Sequence, residues 1–411
     1  MNLLRRQTTF GLLAFGAAAV GVRTQGAAAV QQAMQAGLSL GTSAAIDRQG
    51  RLWIARAEAA HGAQLSGKTQ AAFVVLQMST DMGKTWSSPR RIQSMPEGVE
   101  ASGESRPKVV FGDKDQVYVT YTKPLAKPYT GEIRFVRSVD GGQTFSAPVT
   151  VHKNRDLITH RFDSMVVDKT GRLYIAWIDK RDVEAAKARK EKYAGAAVYY
   201  AVSDDGGSTF KGDYKLADHS CECCRIALAL DARGRPVALW RHVFEPNVRD
   251  HAIAVLAPDG TVSGLQRVTF EDWRIDACPH HGPALAYGAD GTRHQVWFNV
   301  KGDEGGVFYA STAPSGELET PVRLGSGQAQ HGDVAVKGRN VAVVWKEFDG
   351  QATAIMARLS GDGGRTWREL VVAKTEGNSD HPHLVQSGAG GVLVWRTQDQ
   401  GIQTVPIFSK N

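Results

Sequence analysis

The stretch Ser203-Asp-Asp205-Gly-Gly207-Ser-Thr209-Phe210 decides the fold, because its pattern Ser-x-Asp-x-Gly-x-Thr-aromatic recurs along the chain. In such a segment the Asp side chain can accept hydrogen bonds from the backbone of its own turn, and glycine takes a positive φ. The pattern therefore predicts a tight turn between two strands. Three further copies begin at Ser79, Ser138 and Ser360.

A second, broader repeat surrounds these turns. Each copy has an apolar run, a turn with Asp or Gly, and an alternating strand that ends in an aromatic residue, which is the pattern of a strand pair. Seven copies carry their aromatic residue at Trp53, Tyr121, Trp177, Trp240, Trp297, Trp345 and Trp395. A repeat of roughly fifty to sixty residues predicts an all-β propeller of four-stranded antiparallel blades. We expect seven blades, with six as the alternative.

The seventh copy ends soon after Phe408, so one strand of its blade is missing. The segment Leu38-Ser-Leu40 is expected to supply it and to close the ring without an exposed edge.

The four turns resemble the Asp-boxes (BNR repeats) of the sialidase-like β-propellers. The resemblance covers most of the chain and implies a single propeller domain over residues 36–411. It says little about chemistry, because fold does not fix function.

The N-terminal segment is typical of an export signal. Arg5-Arg6 precede an apolar stretch from Phe10 to Val22, and small residues follow up to Ala29. We expect residues 1–29 to be a signal peptide, with the arginine pair hinting at twin-arginine export, and the mature protein to be periplasmic or secreted. No later segment is long and apolar enough for a membrane span.

Charge gives a further limit on partners. The chain of 411 residues has a formal net charge of +7, and its basic residues are scattered. We expect a monomer that binds a small molecule, metal or glycan, with no nucleic-acid partner. The segment from Lys180 to Lys192 is the one helical pattern, and it predicts an insertion after the third strand pair.

Cysteine and histidine concentrate just before the first strand of several blades. In a propeller these strands line the central channel, so the segments preceding them meet at one channel mouth, opposite the repeat turns. The residues brought together there are Cys221, Cys223, Cys224, Cys278, His160, His280, His281, His331, His381 and His383.

The four cysteines allow two interpretations. Disulfides are usual in exported proteins, and Cys224 to Cys278 could join adjacent blades. However, a bridge within Cys221-Glu-Cys223 closes a very short ring. Clustered thiolates with nearby imidazoles suit copper, or alternatively zinc. We therefore predict a metal site formed by Cys221, Cys223, Cys224, Cys278, His280, His281 and His331, used in metal handling or redox chemistry.

The resemblance to sialidases implies an alternative, an exo-acting glycoside hydrolase. That family clamps a carboxylate with three arginines and uses acidic residues in catalysis. The corresponding candidates here are Arg106, Arg241 and Arg396 for the clamp, and Asp333 and Glu347 as acidic partners, with Asp163 and Asp179 as further acids. Ser105-Arg106-Pro107 lacks the isoleucine of the family's Arg-Ile-Pro. A third class is a disulfide-stapled propeller that binds a glycan or a protein.

Overall fold

The computed structural model describes residues 40–64, 70–262, 264–277, 279–302, 304–387 and 390–408. These residues form seven antiparallel sheets and one short helix. The prediction of an all-β, seven-bladed propeller is confirmed, and the six-bladed alternative is wrong. The expected signal peptide at residues 1–29 and Cys278 lie outside the described residues.

Each blade begins with its innermost strand. Blades 1 to 3 comprise β1 (Thr42–Ile46), β2 (Leu52–Gln64), β3 (Gln70–Ser79), β4 (Arg90–Arg91) and β5 (Glu97–Gly98); β6 (Lys108–Phe111), β7 (Val117–Pro124), β8 (Gly131–Ser138) and β9 (Val149–Thr150); and β10 (His160–Val167), β11 (Leu173–Asp179), β12 (Ala196–Ser203) and β13 (Lys211–Ser220). Helix α1 (Arg181–Arg189) follows β11 and falls within the predicted insertion of residues 180–192.

The other four blades repeat this order. They comprise β14 (Ala227–Leu230), β15 (Pro236–Arg241), β16 (His251–Val255) and β17 (Gln266–Arg267); β18 (Ala284–Tyr287), β19 (Arg293–Lys301), β20 (Glu304–Thr312) and β21 (Val322–Leu324); β22 (Gln330–Lys337), β23 (Asn340–Phe348), β24 (Thr353–Ser360) and β25 (Arg368–Thr375); and β26 (His383–Ser387), β27 (Gly390–Thr397) and β28 (Gly401–Phe408).

The innermost strands form a closed ring. Each of β1, β6, β10, β14, β18, β22 and β26 contacts the next, and β26 contacts β1. Apolar side chains of blades 7 and 1 also pack together, with Val392 and Val394 against Leu52 and Ile54. Contact between the first and last blades leaves no gap in the ring.

The closing strand predicted for blade 7 falls mostly on residues outside those described, so it stays a prediction. Among the described residues the seventh sheet holds only β26, β27 and β28. Leu40 lies just before innermost strand β1, where its carbonyl accepts a hydrogen bond from Thr42 Oγ1 at 2.9 Å. This end of the segment therefore lies beside the channel strand of blade 1, and Leu38 and Ser39 lie outside the described residues.

The core lies between neighbouring blades. The second strand of each of the last five blades carries a fully buried tryptophan, which are Trp177, Trp240, Trp297, Trp345 and Trp395. Trp240 packs with residues of blade 3, and Trp345 packs with residues of blade 5. Replacing such a side chain with alanine costs about 3–5 kcal/mol, so these residues fix the blade spacing.

The four repeat turns join the third and fourth strands of blades 1, 2, 3 and 6. In blade 3, Asp205 Oδ1 accepts the Thr209 N–H at 2.9 Å and Oδ2 accepts Thr209 Oγ1–H at 2.7 Å. Gly207 has a φ of +78°, and a Cβ there would lie 2.4 Å from the ring of Phe135 in blade 2. Phe210 packs edge-on against that same ring. The turn therefore fastens one blade to the preceding one.

The described part of the chain has no helix with the length and apolar composition needed to span a bilayer.

Candidate functional site

The propeller has two chemically different faces. At one face, Arg172 between β10 and β11 pairs with Asp204 in the repeat turn of the same blade. At the other, Lys180 after β11 donates to Glu222 before β14 at 2.5 Å. We call this second face, formed by the segments that precede the innermost strands, the site face. The repeat turns lie at the opposite face, as antiparallel strand order requires.

Three cysteines of the site face form a compact triangle. The Sγ–Sγ distances are 3.8 Å for Cys221 to Cys223 and 3.9 Å for each of these residues to Cys224. All three side chains are buried. A disulfide has an S–S distance of about 2.05 Å, so none links any two of these three residues.

The size of this triangle matches a thiolate metal site. A point at the centre of an equilateral triangle with sides of 3.8–3.9 Å lies about 2.2 Å from each corner. Metal–thiolate bonds are about 2.3 Å long. The three sulfurs could therefore hold one ion with little movement of the backbone.

Local charge favours a thiolate in this triangle. Hydrogen bonds from Cys223 and Cys224 hold the pKa of the Cys221 thiol well below its ordinary value, and the positive charges of Arg241 and Arg249 act in the same direction. Arg249 Nη1 lies 3.6 Å from Cys221 Sγ. Burial and the neighbouring Cys221 raise the pKa of Cys224. A lowered pKa supplies the deprotonated sulfur that a metal needs.

A second cluster gathers around Glu104, which lies just before blade 2. Nδ1 of His331 lies 3.7 Å from Glu104 Oε1, and Nδ1 of His381 lies 3.4 Å from the same atom. His281 Nδ1 lies 3.2 Å from His331 Nδ1. The rings of His331 and His381 are stacked with centroids 3.4 Å apart. Four blades therefore contribute to this cluster.

The predicted Cys/His shell is thus divided between two clusters. Cys221, Cys223 and Cys224 form one, and His281 and His331 lie in the other with Glu104 and His381. His280 adopts a left-handed backbone with φ of 54° in the turn before β18.

The three candidate arginines differ in their hydrogen-bond partners. Arg106 donates to Gly103 O, Thr42 O and Asp380 Oδ2. Arg241 is fully buried and donates to the carbonyls of Arg249, His281 and Phe298. Arg396 Nη1 is buried and has no hydrogen-bond partner within the part of the chain that the structure describes.

The candidate acids also have hydrogen-bond partners. Asp333 Oδ2 accepts from His383 Nδ1 at 3.0 Å and from the Leu384 N–H at 2.8 Å. Glu347 accepts the Ser326 N–H at 2.6 Å. Asp179 binds Trp177 and Arg181, and Asp163 accepts from Thr120. Each of these carboxylates has a partner within the protein.

Sequence reasoning missed two central residues, Glu104 and Arg225. Arg225 Nη1 donates to Glu104 Oε1 at 2.6 Å, and its backbone N–H donates to Oε2 at 3.0 Å. Glu104 immediately precedes Ser105-Arg106, so its place before an innermost strand was the available signal. An acidic residue where other blades carry His or Cys could have identified it.

Neither a protein-family model nor a curated protein matches the chain. Solved structures do resemble it. A PL25 polysaccharide lyase, ulvan lyase bound to -[GlcA(1-4)Rha3S]-, has a TM-score of 0.53 at 9% identity, over 91% of this chain and 96% of that one. The polysaccharide lyase Uly1 has a TM-score of 0.54 at 8% identity, over 90% of each chain. An α-L-arabinofuranosidase from Fusarium graminearum has a TM-score of 0.49 at 14% identity, over 81% of this chain and 92% of that one. Identities this low establish the β-propeller fold alone.

Proposed function

We propose that this chain is an exported, monomeric propeller that binds copper(I) through Cys221, Cys223 and Cys224. The observation that carries the proposal is the buried sulfur triangle with sides of 3.8–3.9 Å. Soft thiolates select copper(I) or zinc, and a three-sulfur set suits copper(I). Zinc is the alternative ion.

The residues around the triangle support this role. Because Arg249 lies beside Cys221 Sγ, its charge offsets the negative charge that three thiolates retain around one monovalent ion. Burial of the sulfurs limits attack by solvent oxidants. When bound, the metal would supply a transferable soft cation or a one-electron centre, and the chain's own residues bind and shield it.

The test is a copper(I) titration of the reduced protein against a chromophoric copper(I) chelator, under anaerobic conditions. We expect one tightly bound ion in the wild type. Cys221→Ser and Cys224→Ser should each weaken binding by more than about 100-fold, since even outer-shell partners change metal affinity by about 10- to 100-fold. Ser220→Ala is the matched control, because Ser220 is buried beside Cys221 and carries no sulfur. A reduced, folded wild type that takes up no copper(I) would refute the proposal.

A glycan-acting enzyme is the second candidate. The structural neighbours include lyases, one of them bound to a glucuronate-containing sugar. One feature of this chain favours an acidic sugar, because Asp380 is the shared acidic neighbour of Arg106, Lys346 and Arg396. Arg396 also has Arg56 and Glu58 as charged neighbours, so four cations face two carboxylates and leave excess positive charge for a uronate.

The second candidate predicts cleavage of ulvan. Products would be measured as new reducing ends. Arg396→Ala should reduce the rate, because one guanidinium nitrogen of Arg396 has no hydrogen-bond partner among the residues described. Arg235→Ala, which alters a pair with Asp231 in the turn between β14 and β15, serves as control. Absence of cleavage by the wild type would remove this candidate and leave the copper proposal untouched.

A further inference from the structure

The carboxylate of Glu104 is oriented by the backbone and by Arg225. Its Oε2 accepts the N–H groups of Arg225 at 3.0 Å and of Gly282 at 2.8 Å. Its Oε1 accepts Arg225 Nη1 at 2.6 Å, and no other hydrogen bond to this oxygen is formed within the described part of the chain. A carboxylate oxygen has two lone pairs, so one of those on Oε1 remains available. The atoms nearest to it include Nδ1 of His331 and Nδ1 of His381.

These imidazoles do not satisfy that oxygen by ordinary hydrogen bonds. His381 Nδ1 is buried and has no hydrogen-bond partner among the described residues, although it lies 3.4 Å from Oε1. His331 Nδ1 faces another imidazole nitrogen, that of His281, at 3.2 Å. Buried polar atoms normally have partners, so an unpaired nitrogen beside a carboxylate calls for an explanation.

A second pair of stacked histidines shows the contrast. His152 and His160 are stacked with ring centroids 3.8 Å apart, much like His331 and His381. In that pair every ring nitrogen has a partner: His152 contacts Asn154 O and the Ile133 N–H, and His160 contacts Gly131 O and Asn154 Oδ1. The His152–His160 pair is therefore a structural stack with all its ring nitrogens hydrogen-bonded. In the His331–His381 pair, by contrast, His381 Nδ1 is available to bind a ligand.

The spacing of the candidate ligand atoms is compatible with a metal shell. Glu104 Oε1, His331 and His381 each offer an atom, and these atoms all lie within 4.8 Å of one another. Zinc bonds to N and O ligands are about 2.0–2.2 Å long, so ligand atoms of a tetrahedral shell lie about 3.3–3.6 Å apart. The observed distances of 3.4 and 3.7 Å to Oε1 are close to that value.

We propose that Glu104, His331 and His381 bind a divalent cation of the zinc class at the channel mouth, separately from the cysteine triangle. The ligands come from blades 2, 6 and 7, so the ion would join non-consecutive parts of the ring. His281, 3.2 Å from His331, is placed to complete or orient the shell. This site shares no ligand with the proposed copper(I) site and does not rest on it.

Cobalt(II) is the probe, with zinc as competitor. The titration uses the full chain carrying Cys221→Ser and Cys224→Ser, so that cobalt(II) bound at the cysteine triangle does not contribute to the signal. We expect one cobalt(II) with ligand-field bands, no sulfur-to-cobalt charge transfer, and displacement by zinc. In that background, His381→Ala and His331→Ala should each weaken binding at least about tenfold. His152→Ala, in the matched stack, should leave binding unchanged.

Zinc should also raise the thermal midpoint of the double cysteine variant, because a ligand that binds only the folded state stabilises it. This measurement needs no histidine variant, so it remains decisive if one of them fails to fold. The proposal is overturned if the double cysteine variant binds neither cobalt nor zinc, or if folded His331→Ala and His381→Ala variants bind as tightly as their parent. Failure of the wild type to bind copper(I) would contradict the proposal for the cysteine triangle and would leave this proposal unaffected.

Discussion

Arg225 and Glu104 form a buried ion pair between segments of blades 4 and 2, which are not neighbours in the ring. Two hydrogen bonds of 2.6 and 3.0 Å join them, and Glu104 is 4% exposed. Arg225 directly follows Cys224, so this pair connects the segment of the cysteine triangle to the histidine cluster. The Arg225–Glu104 ion pair therefore helps to position both candidate sites.

Arg225→Ala should destabilise the protein strongly. Removing one partner of a buried ion pair leaves the other charge unpaired, which costs about 3–5 kcal/mol in free energy of unfolding. Denaturant unfolding would measure this loss. Arg235→Ala is the control, because the Arg235–Asp231 pair is half-exposed at its arginine and such surface pairs contribute about 0–1 kcal/mol. Equal effects of the two substitutions would show that the Arg225–Glu104 pair has no special role.

The repeat turns should make the stability of the fold fall at acidic pH. Burial is the largest single influence on the pKa of Asp205 and raises it, but the hydrogen bonds from Thr209 and Ser203 together outweigh burial and lower the pKa from 3.8 to about 2. A carboxyl whose pKa is lower in the folded state stabilises the fold above its unfolded pKa, and this contribution is lost as pH falls through the folded value. The loss should therefore occur between about pH 4 and pH 2.

Asp205→Asn tests that dependence through thermal midpoints measured from pH 7 to pH 2. The wild type should be more stable than the variant at neutral pH, and the difference should shrink as the pH approaches 2. Thr209→Val keeps the carboxylate but removes one of its hydrogen-bond donors, so it should give an intermediate difference. A difference that stays constant with pH would contradict the role assigned to Asp205.

The blades could be predicted from sequence because their signals are local. The repeat turn closes within the eight residues from Ser203 to Phe210, and the tryptophans recur at one position of the second strand. Each pattern carries its own physical cause, whether turn geometry or burial of an aromatic ring. Repetition then gave the blade count and the two faces.

The division of the site into two clusters could not be predicted in this way. Blade register places Cys224, His331 and Glu104 before innermost strands, but not the direction in which each side chain points. Glu104 meets Arg225 only because the ring closes, since 121 positions separate them in the chain. Contacts of this kind depend on three-dimensional closure, which no local period encodes.

Helix α1 should depend on Asp179, which ends β11. Asp179 Oδ1 accepts the Arg181 N–H at 2.9 Å, and Oδ2 accepts Trp177 Nε1–H at 2.8 Å. Lys180, at the start of the helix, makes no capping bond with its own side chain. The N–H groups of the first helical turn have no partner within the helix, and Asp179→Ala removes the acceptor of one of them, that of Arg181. The substitution also leaves the buried indole N–H of Trp177 unpaired, so the free energy of unfolding should fall by about 1–3 kcal/mol.

Hydrogen exchange would locate that effect. Amides of residues 181–189 should exchange faster in Asp179→Ala, while the strands far from blade 3 keep their protection. Glu184→Ala is the control within the helix, because its exposed pair with Lys187 contributes only about 0.2–0.5 kcal/mol. If helix exchange rises equally in both variants, Asp179 does not hold the start of α1.

Arg249 should tune the proposed copper(I) site without being a ligand. Its Nη1 lies 3.6 Å from Cys221 Sγ, and its Nε donates to Asn247 Oδ1 at 3.1 Å, which orients the side chain. Three thiolates around one monovalent ion retain negative charge, and a guanidinium beside them stabilises that charge. Arg249→Ala should weaken copper(I) binding by about tenfold, the effect typical of an outer partner of a metal site. Arg249→Lys keeps the charge and should recover most of the affinity. Chelator competition at fixed pH would compare the three proteins, and unchanged affinity in folded Arg249→Ala would show that the charge beside Cys221 does not act on the bound ion.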